Sequence, residues 1–395
     1  MHWPFCLSKC PYCDFNSHVA SSFNHKLWLD SYLKELEYFL PELEKRKIKT
    51  IFFGGGTPSL MDPTTISGIL EWLEKRGLIE NADDTLEITL EANPTSIETK
   101  KLEAFRAAGI NRVSIGVQSL IKEDLQKLGR THSPDTAINA IKSAAGIFDR
   151  YSFDLIYARE NQRMLSWQHE LEKAMALAGG HISLYQLTIE KGTPFYTQHK
   201  NGELILPEND LAADMYLWTK DYLVKHGYKR YEISNFALPG QECRHNLAYW
   251  NYDEYLGIGP GAHSRICLQD SRTPIALMNY NKPDKWLNLV QECGSAIQTQ
   301  EKLTRREIIE EVMMMGLRLE DGISDVKLQK YLGIEFNEML NMVAIKTLRS
   351  KGFVKYDGKV LKLTDKGLLM HRQSLYTFLL MISGKIKSVI GSNTK

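Results

Sequence analysis

Cys6, Cys10 and Cys13 stand C-x3-C-x2-C in the segment His2-Trp3-Pro4-Phe5-Cys6-Leu7-Ser8-Lys9-Cys10-Pro11-Tyr12-Cys13, a density of thiols that points to a metal centre. Three thiolates fall one short of the four protein ligands that close a structural zinc site, or of the four cysteines that saturate a [4Fe–4S] cluster. With three, one iron of a cluster keeps an open position at which a small molecule can bind and be reduced. The alternative at this point is zinc, with His2, Asp14 or His18 as fourth ligand.

Further polar residues recur where β-patterned runs end. Ile51-Phe52-Phe53 leads into Gly54-Gly55-Gly56-Thr57-Pro58-Ser59, where missing side chains would let a ligand approach the backbone and Thr57 adds a hydroxyl. Glu91 follows Leu86 to Leu90, Gln118 follows Val113 to Val117, and Asp154 interrupts Tyr151 to Ile156. Arg130 offers a fixed cation for a carboxylate.

The elements that must position them alternate from residue 30 to about 265. Strands are expected near 49–53, 86–91, 112–117, 152–157, 182–188 and 229–233, with helices near 25–39, 64–76, 97–108, 134–147, 164–178 and 208–226. Helix-sized connections favour parallel strands, so the fold class is α/β, a complete or partial (β/α) barrel with its chemistry at the C-terminal strand ends. Beyond residue 300, helices at 303–315 and 336–350 precede an Asp357-Gly358 hairpin, which makes a mainly helical, winged-helix-like C-terminal domain. Met313, Met314 and Met315 are expected to fill core space there. The divisions read as 1–235, 236–300 and 301–395.

A chain of 395 residues, 43% hydrophobic, can bury a large core plus a smaller one. Net charge of +1 argues against a whole-protein role on nucleic acid or acidic membrane. Residues 301–395 hold 17 Lys and Arg against 11 Asp and Glu, but the acidic residues are interspersed and no dense basic run appears, so no nucleic-acid partner is expected. Six cysteines, half of them clustered, are not a disulfide framework and suggest a reducing compartment, the cytoplasm. The most apolar stretch, 375–390, is broken by Ser383, Gly384, Lys385 and Lys387 and is no membrane span.

C-x3-C-x2-C with an aromatic before the third cysteine, together with the GGGTP turn, resembles the radical S-adenosylmethionine superfamily. More specifically, Lys9 to Ser17, Gly54 to Ser59, Glu91-Ala92-Asn93-Pro94, Ile115-Gly116-Val117-Gln118-Ser119 and Gly257 to Ser264 resemble the HemW heme chaperone family over nearly the whole chain. The resemblance implies a radical S-adenosylmethionine-type partial barrel with a 4Fe–4S cluster on Cys6, Cys10 and Cys13, and S-adenosyl-L-methionine on the open iron. Tyr12, Gly55, Gly56, Thr57, Glu91, Gln118, Arg130, Asp154, Thr188 and His263 would surround that cofactor. It further implies heme as ligand, an acceptor apo-hemoprotein as partner, peripheral contact with membrane-bound acceptors, and a homodimer.

Cys243-Arg244-His245-Asn246-Leu247-Ala248-Tyr249-Trp250 contains H-N-x-x-Y-W, similar to the heme-binding motif of that family. His245 offers an imidazole for heme iron, Tyr249 and Trp250 could cover a porphyrin face, and Cys243 is a candidate second anchor. The alternative function is that of the related oxygen-independent coproporphyrinogen III dehydrogenase or another radical enzyme of porphyrin metabolism, so whether the chain is an enzyme stays open. That relative carries a further cysteine where this chain has Phe15, which weighs against the decarboxylation.

Two departures from the family pattern stand out. The usual tyrosine-bearing first strand is expected to be missing, because Met1 lies only five residues before Cys6. A Gly-Leu-Pro-Gly-Gln-like turn is replaced by Ala158-Arg159-Glu160-Asn161-Gln162, a change expected to alter the cofactor pocket.

Overall fold

The computed structural model describes residues 1–369 apart from 45, 80–84, 269, 270 and 272; the 375–390 stretch and the end of the 301–395 division lie outside the described residues. Its centre is an eight-stranded sheet. We number its strands β1 (His2–Trp3), β2 (Thr50–Gly55), β3 (Glu87–Ala92), β4 (Arg112–Gln118), β5 (Arg150–Tyr157), β6 (His181–Gln186), β7 (Lys229–Arg230) and β8 (Asn235–Ala237), in the order 1-2-3-4-5-6-8-7. Strands β1 to β6 pair in parallel, and β8 pairs antiparallel with both β6 and β7. This is the expected α/β partial barrel.

Strand alternation explains the barrel's two surfaces. Ile51, Phe53, Ile88, Leu90, Val113, Ile115, Phe153, Leu155, Ile182 and Leu184 belong to the buried apolar core that the helices cover. The alternate residues Glu87, Thr89, Glu91, Ser114, Ser152, Asp154, His181 and Ser183 turn the other way and give the barrel a polar interior. Helices His25–Tyr38, Pro63–Lys75, Pro134–Ile147, Met164–Met175 and Asn209–Lys225 match the expected periods. Their starts are fixed locally: Asp62 caps Pro63–Lys75 by accepting from Thr64 N, and Ser133 caps Pro134–Ile147 by accepting from Thr136 N. The helix expected at 97–108 is two pieces, Ser96–Thr99 and Leu102–Ala107. Its first piece is pinned by the buried Glu98, which accepts from the Asn93 amide.

A first strand is present, contrary to expectation. His2 and Trp3 pair in register with Gly54 and Gly55, and the wholly buried Trp3 packs edge-on against Phe5, Phe23 and Trp28. Two residues suffice because an aromatic core anchors them.

A three-stranded antiparallel sheet of His263–Ile266, Ile275–Asn279 and Ile297–Lys302 follows the barrel. The C-terminal unit has a separate core, including Ile308, Met313, Leu317, Leu328, Phe336, Leu340, Ile345 and Leu361, against which Met314 and Met315 pack as expected. Its hairpin Val354–Tyr356/Val360–Leu363 closes through Asp357, whose Oδ1 accepts from the amides of Lys359 and Val360, and through Gly358 at φ 100°. The helices Arg305–Gly316, Val326–Leu332 and Met342–Ser350 beside a small sheet give the winged-helix-like arrangement. No described helix is long and apolar enough to cross a membrane.

Candidate functional site at the strand ends

A cavity of about 500 Å³ opens at the C-terminal ends of the strands and is lined by Cys6, Cys10 and Cys13 together with Tyr12, Gly55, Gly56, Thr57, Glu91, Gln118, Arg130, Asp154 and Thr188. Residues drawn from 183 positions of chain thus converge where a parallel barrel puts its chemistry. Cys6 lies on Phe5–Cys6, paired in parallel with His18–Val19, and Cys10 to Cys13 form a turn in which the Cys13 amide donates to Cys10 O at 3.1 Å. Burial pushes the Cys6 and Cys13 thiols above their ordinary values. A coordinated metal reverses that, since a ligating thiol is deprotonated outright.

Two residues meet the sulfurs directly. Thr57 Oγ1 donates to Cys6 Sγ at 3.3 Å, and the Arg130 guanidinium lies 3.5 Å from Cys10 Sγ. Both are held by Asn93, whose Nδ2 donates to Thr57 Oγ1 at 3.0 Å and whose Oδ1 accepts from Arg130 at 2.5 Å. Asn93 was visible only as a letter of the Glu91-Ala92-Asn93-Pro94 motif, and sequence reasoning did not assign it. Arg130 also donates to Gly116 O at 2.7 Å, so its charge is fixed before any ligand arrives.

The glycine turn meets a packing constraint as well. A Cβ on Gly55 would lie 2.8 Å from Trp3 O, and one on Gly56 would lie 2.6 Å from Phe5 O. The missing side chains let the cysteine-bearing segment lie against β2, while the same two residues still line the cavity. Glu91 Oε2 accepts from the Gly55 amide at 3.3 Å. Burial, with the nearby Asp154 charge adding to it, pushes Glu91 up to about 7, and burial pushes Asp154 up to about 6. Gln118 closes β4 at φ 69°, after a register shift against β5, a strained position of the kind that clusters at binding sites. Thr188 is exposed at the rim and donates to Gln186 O.

Three positions singled out in the sequence lie apart from this cavity. His263 does not line the cavity: it opens the strand His263–Ile266 in exposed position, because the loop before it packs behind β1, with His2 N donating to Ile258 O at 2.8 Å. The Ala158–Gln162 turn does not line it either. Ala158 and Asn161 take φ of 53° and 54°, the left-handed conformation that glycine favours, and Arg159 folds inward to donate to Glu170 at 2.5 Å and Asp124 at 2.8 Å. Cys243 is no surface anchor: it is buried, donates to Glu87 Oε1, and burial pushes its thiol up to about 11.

His245 lies at the other mouth of the barrel. It sits in the helix Arg244–Trp250, where its amide donates to Glu87 Oε1 at 3.0 Å and its Nδ1 lies 3.0 Å from Thr50 Oγ1. Thr50 and Glu87 begin β2 and β3, whereas Gly55 and Glu91 end them, about 15 Å away at strand rise. The ring stacks on Phe52 at 4.6 Å and meets Tyr249 edge-on at 4.8 Å, and Nε2 has no hydrogen-bond partner among the described residues. Burial pulls His245 down to about 3, which keeps the imidazole neutral at pH 7. Trp250 packs under the Arg318 guanidinium at 4.3 Å.

Comparison with known proteins places this geometry. The Radical SAM superfamily profile matches residues 1–165, and the HemN C-terminal domain profile matches 303–370. The chain is 32% identical to heme chaperone HemW of Bacillus subtilis (strain 168), over 96% of this chain and 98% of that protein. The chain belongs to the HemW family. It is also 36% identical to radical S-adenosyl methionine domain-containing protein 1, mitochondrial, of Danio rerio, over 96% of this chain and 86% of that protein. Heme chaperone HemW of Escherichia coli (strain K12) is 39% identical over 69% of this chain and 71% of its own length. Coproporphyrinogen III oxidase (HemN) from Escherichia coli shares the fold, with a TM-score of 0.77 at 24% identity, covering 94% of this chain and 87% of that one.

Membership of the superfamily implies a 4Fe–4S cluster and S-adenosyl-L-methionine, and the residues present fit them. Three cysteines share one cavity with an anchored guanidinium and two half-buried carboxylates, a donor set that can take a cluster with one open iron and a ligand bearing both ammonium and carboxylate groups.

Proposed function

We propose that this protein is a heme chaperone that binds heme through His245 and passes it to an acceptor apo-hemoprotein. The observation that carries the reading is the state of the His245 ring: neutral, stacked on Phe52, fixed at Nδ1 by Thr50, with Nε2 unpartnered. Metal-bound histidines have this arrangement, the second nitrogen being held by an outer hydrogen bond that sets tautomer and ring orientation. Tyr249 and Trp250, both half-buried, supply aromatic surface beside it.

The 4Fe–4S cluster would be held by Cys6, Cys10 and Cys13, with S-adenosyl-L-methionine among Tyr12, Gly55, Gly56, Thr57, Glu91, Gln118, Arg130, Asp154 and Thr188; together these groups supply one-electron reduction. Arg130 and Thr57 orient charge toward the sulfurs, and Glu91 and Asp154 present acceptors in the same cavity. Phe15, 60% exposed on the cavity rim, stands where the coproporphyrinogen dehydrogenase pattern has a thiol, which supports the chaperone reading over that reaction. We further propose division near residues 235 and 300, a homodimeric state, peripheral contact with membrane-bound acceptors and residence in the cytoplasm.

The test is anaerobic cluster reconstitution followed by heme titration of wild type and His245→Ala, with absorption spectra and iron content read together. Loss of heme binding with retention of cluster iron is expected in the variant. Equal binding by both proteins would overturn the assignment.

A further inference from the structure

A buried hydrogen-bond chain crosses the barrel interior and is used by none of the roles above. It starts at Asn246, the residue after His245, whose Nδ2 donates to Tyr231 Oη at 3.4 Å. Tyr231 Oη lies 2.8 Å from His181 Nε2, and His181 Nδ1 lies 2.7 Å from Ser152 Oγ. Ser152 Oγ is 3.5 Å from Ser183 Oγ, the longest link, and Ser183 pairs with Asp154 in the register of the sheet, where its hydroxyl acts to lower the Asp154 carboxyl. Asp154 lines the cluster cavity. Tyr231, His181, Ser152 and Ser183 are all buried, so water does not compete for the intermediate links.

The two ends give the chain a direction. A carboxamide N–H only donates and a carboxylate only accepts. With the Ser183 hydroxyl turned toward Asp154, one arrangement satisfies every link: Tyr231 O–H donates to His181 Nε2, His181 Nδ1–H to Ser152, and Ser152 to Ser183. Burial holds His181 well below its ordinary value, so the ring carries one proton, and the two ends require it on Nδ1. Disturbing either end removes the constraint on all the donors between, since hydrogen-bonded groups in a low-dielectric interior polarise and orient one another.

We propose that this chain couples the two mouths of the barrel: heme seated on the Arg244–Trp250 helix and S-adenosylmethionine bound beside Asp154 alter each other's affinity through His181, a positioning residue that touches neither. The inference rests on heme binding at His245. Iron coordinated there bears on the helix turn that carries Asn246, and its 3.4 Å bond is the chain's entry. A contiguous path alone is not coupling, which is a reciprocal free energy and must be measured as one.

The experiment is equilibrium dialysis of S-adenosylmethionine against the cluster-reconstituted full chain, with and without saturating heme, for wild type, Tyr231→Phe and His181→Gln. In wild type heme should shift the cofactor Kd by about 2- to 30-fold, the range of couplings carried by such networks. Both variants should bind each ligand alone as wild type does, yet show a shift below about 1.5-fold. Binding of both ligands with no wild-type shift, or with the full shift kept in Tyr231→Phe, overturns the coupling and leaves the chaperone reading intact; failure of wild type to bind heme overturns both. A readout independent of cofactors is the 15N spectrum of histidine-labelled apo-protein, His181 being identified by the signal lost in His181→Gln. A neutral ring protonated on Nδ1 is expected, and one protonated on Nε2 overturns the chain's direction.

Discussion

Replacing Arg159 by leucine should destabilise the apo-protein by about 3 to 5 kcal/mol, the usual cost of stranding one half of a buried ion pair. Arg159 is 3% exposed and spans two carboxylates and a carbonyl, donating to Glu170, Asp124 and Ile156 O. Glu170, equally buried, accepts at Oε1 from Ser119 Oγ at 2.6 Å, the Leu120 amide at 2.8 Å and Arg159 at 3.3 Å, and at Oε2 from Arg159. Arg159→Leu would leave that second oxygen charged and unpaired. Glu170→Gln keeps an acceptor for Ser119 and Leu120 while removing the charge, so adding it to Arg159→Leu should restore about 1 kcal/mol or more. Urea unfolding followed by intrinsic tryptophan fluorescence measures all three proteins. The reasoning is refuted if Arg159→Leu lies within about 1 kcal/mol of wild type, or if the double variant is no more stable than Arg159→Leu alone. Ser119 follows the strained Gln118, so this ion pair also bears on the cavity wall without touching it.

Asn93→Ala should leave Thr57 and Arg130 without their shared partner and weaken S-adenosylmethionine binding about 10-fold while cluster iron stays bound, read by dialysis and iron content. Thr50→Val should remove the Nδ1 bond of His245 and weaken heme binding by about 10- to 100-fold in a spectroscopic titration, as loss of an outer-sphere partner does. Glu35 is fully buried between helix His25–Tyr38 and the Gly259 amide, Asn279 and Trp286, and burial pushes it up to about 8. Its folded-state value exceeds its unfolded one, so it favours the folded state fully below about pH 4.5, and that contribution, on the order of 4 kcal/mol, is lost as pH rises through 8. Glu35→Gln should flatten that part of the stability–pH curve, and an unchanged slope between pH 5 and 9 would count against the assignment.

What could be read in the sequence is what repeats or sits close together. Alternating β and α periods gave the barrel, and the cluster cysteines lie within eight positions of one another, so one turn of chain carries their chemistry. Strand-end position brought Gly55, Glu91, Gln118 and Asp154 into one cavity, because a parallel barrel directs all its strand ends to the same mouth, and Arg130 joins them from the turn between helices Lys122–Lys127 and Pro134–Ile147. The same logic did not bear on His263, which was named from its motif and opens a strand of a different sheet. It was also silent on His245: no local pattern tells that residue 245 packs against Thr50, Phe52 and Glu87, pairings across about 160 to 195 positions made only when β8 turns the chain back under the barrel. The altered 158–162 turn was legible as a departure but not as a solution, since the left-handed backbone survives at Ala158 and Asn161 with Arg159 held from two other helices. The polar interior follows the same division. Period-two alternation predicts that Ser152 and Asp154 share a face, but only the closed barrel sets His181 and Ser183 beside them and so brings Asn246 and Asp154 to the ends of one chain. A ligand at either mouth therefore acts on side chains whose other neighbours belong to the opposite mouth.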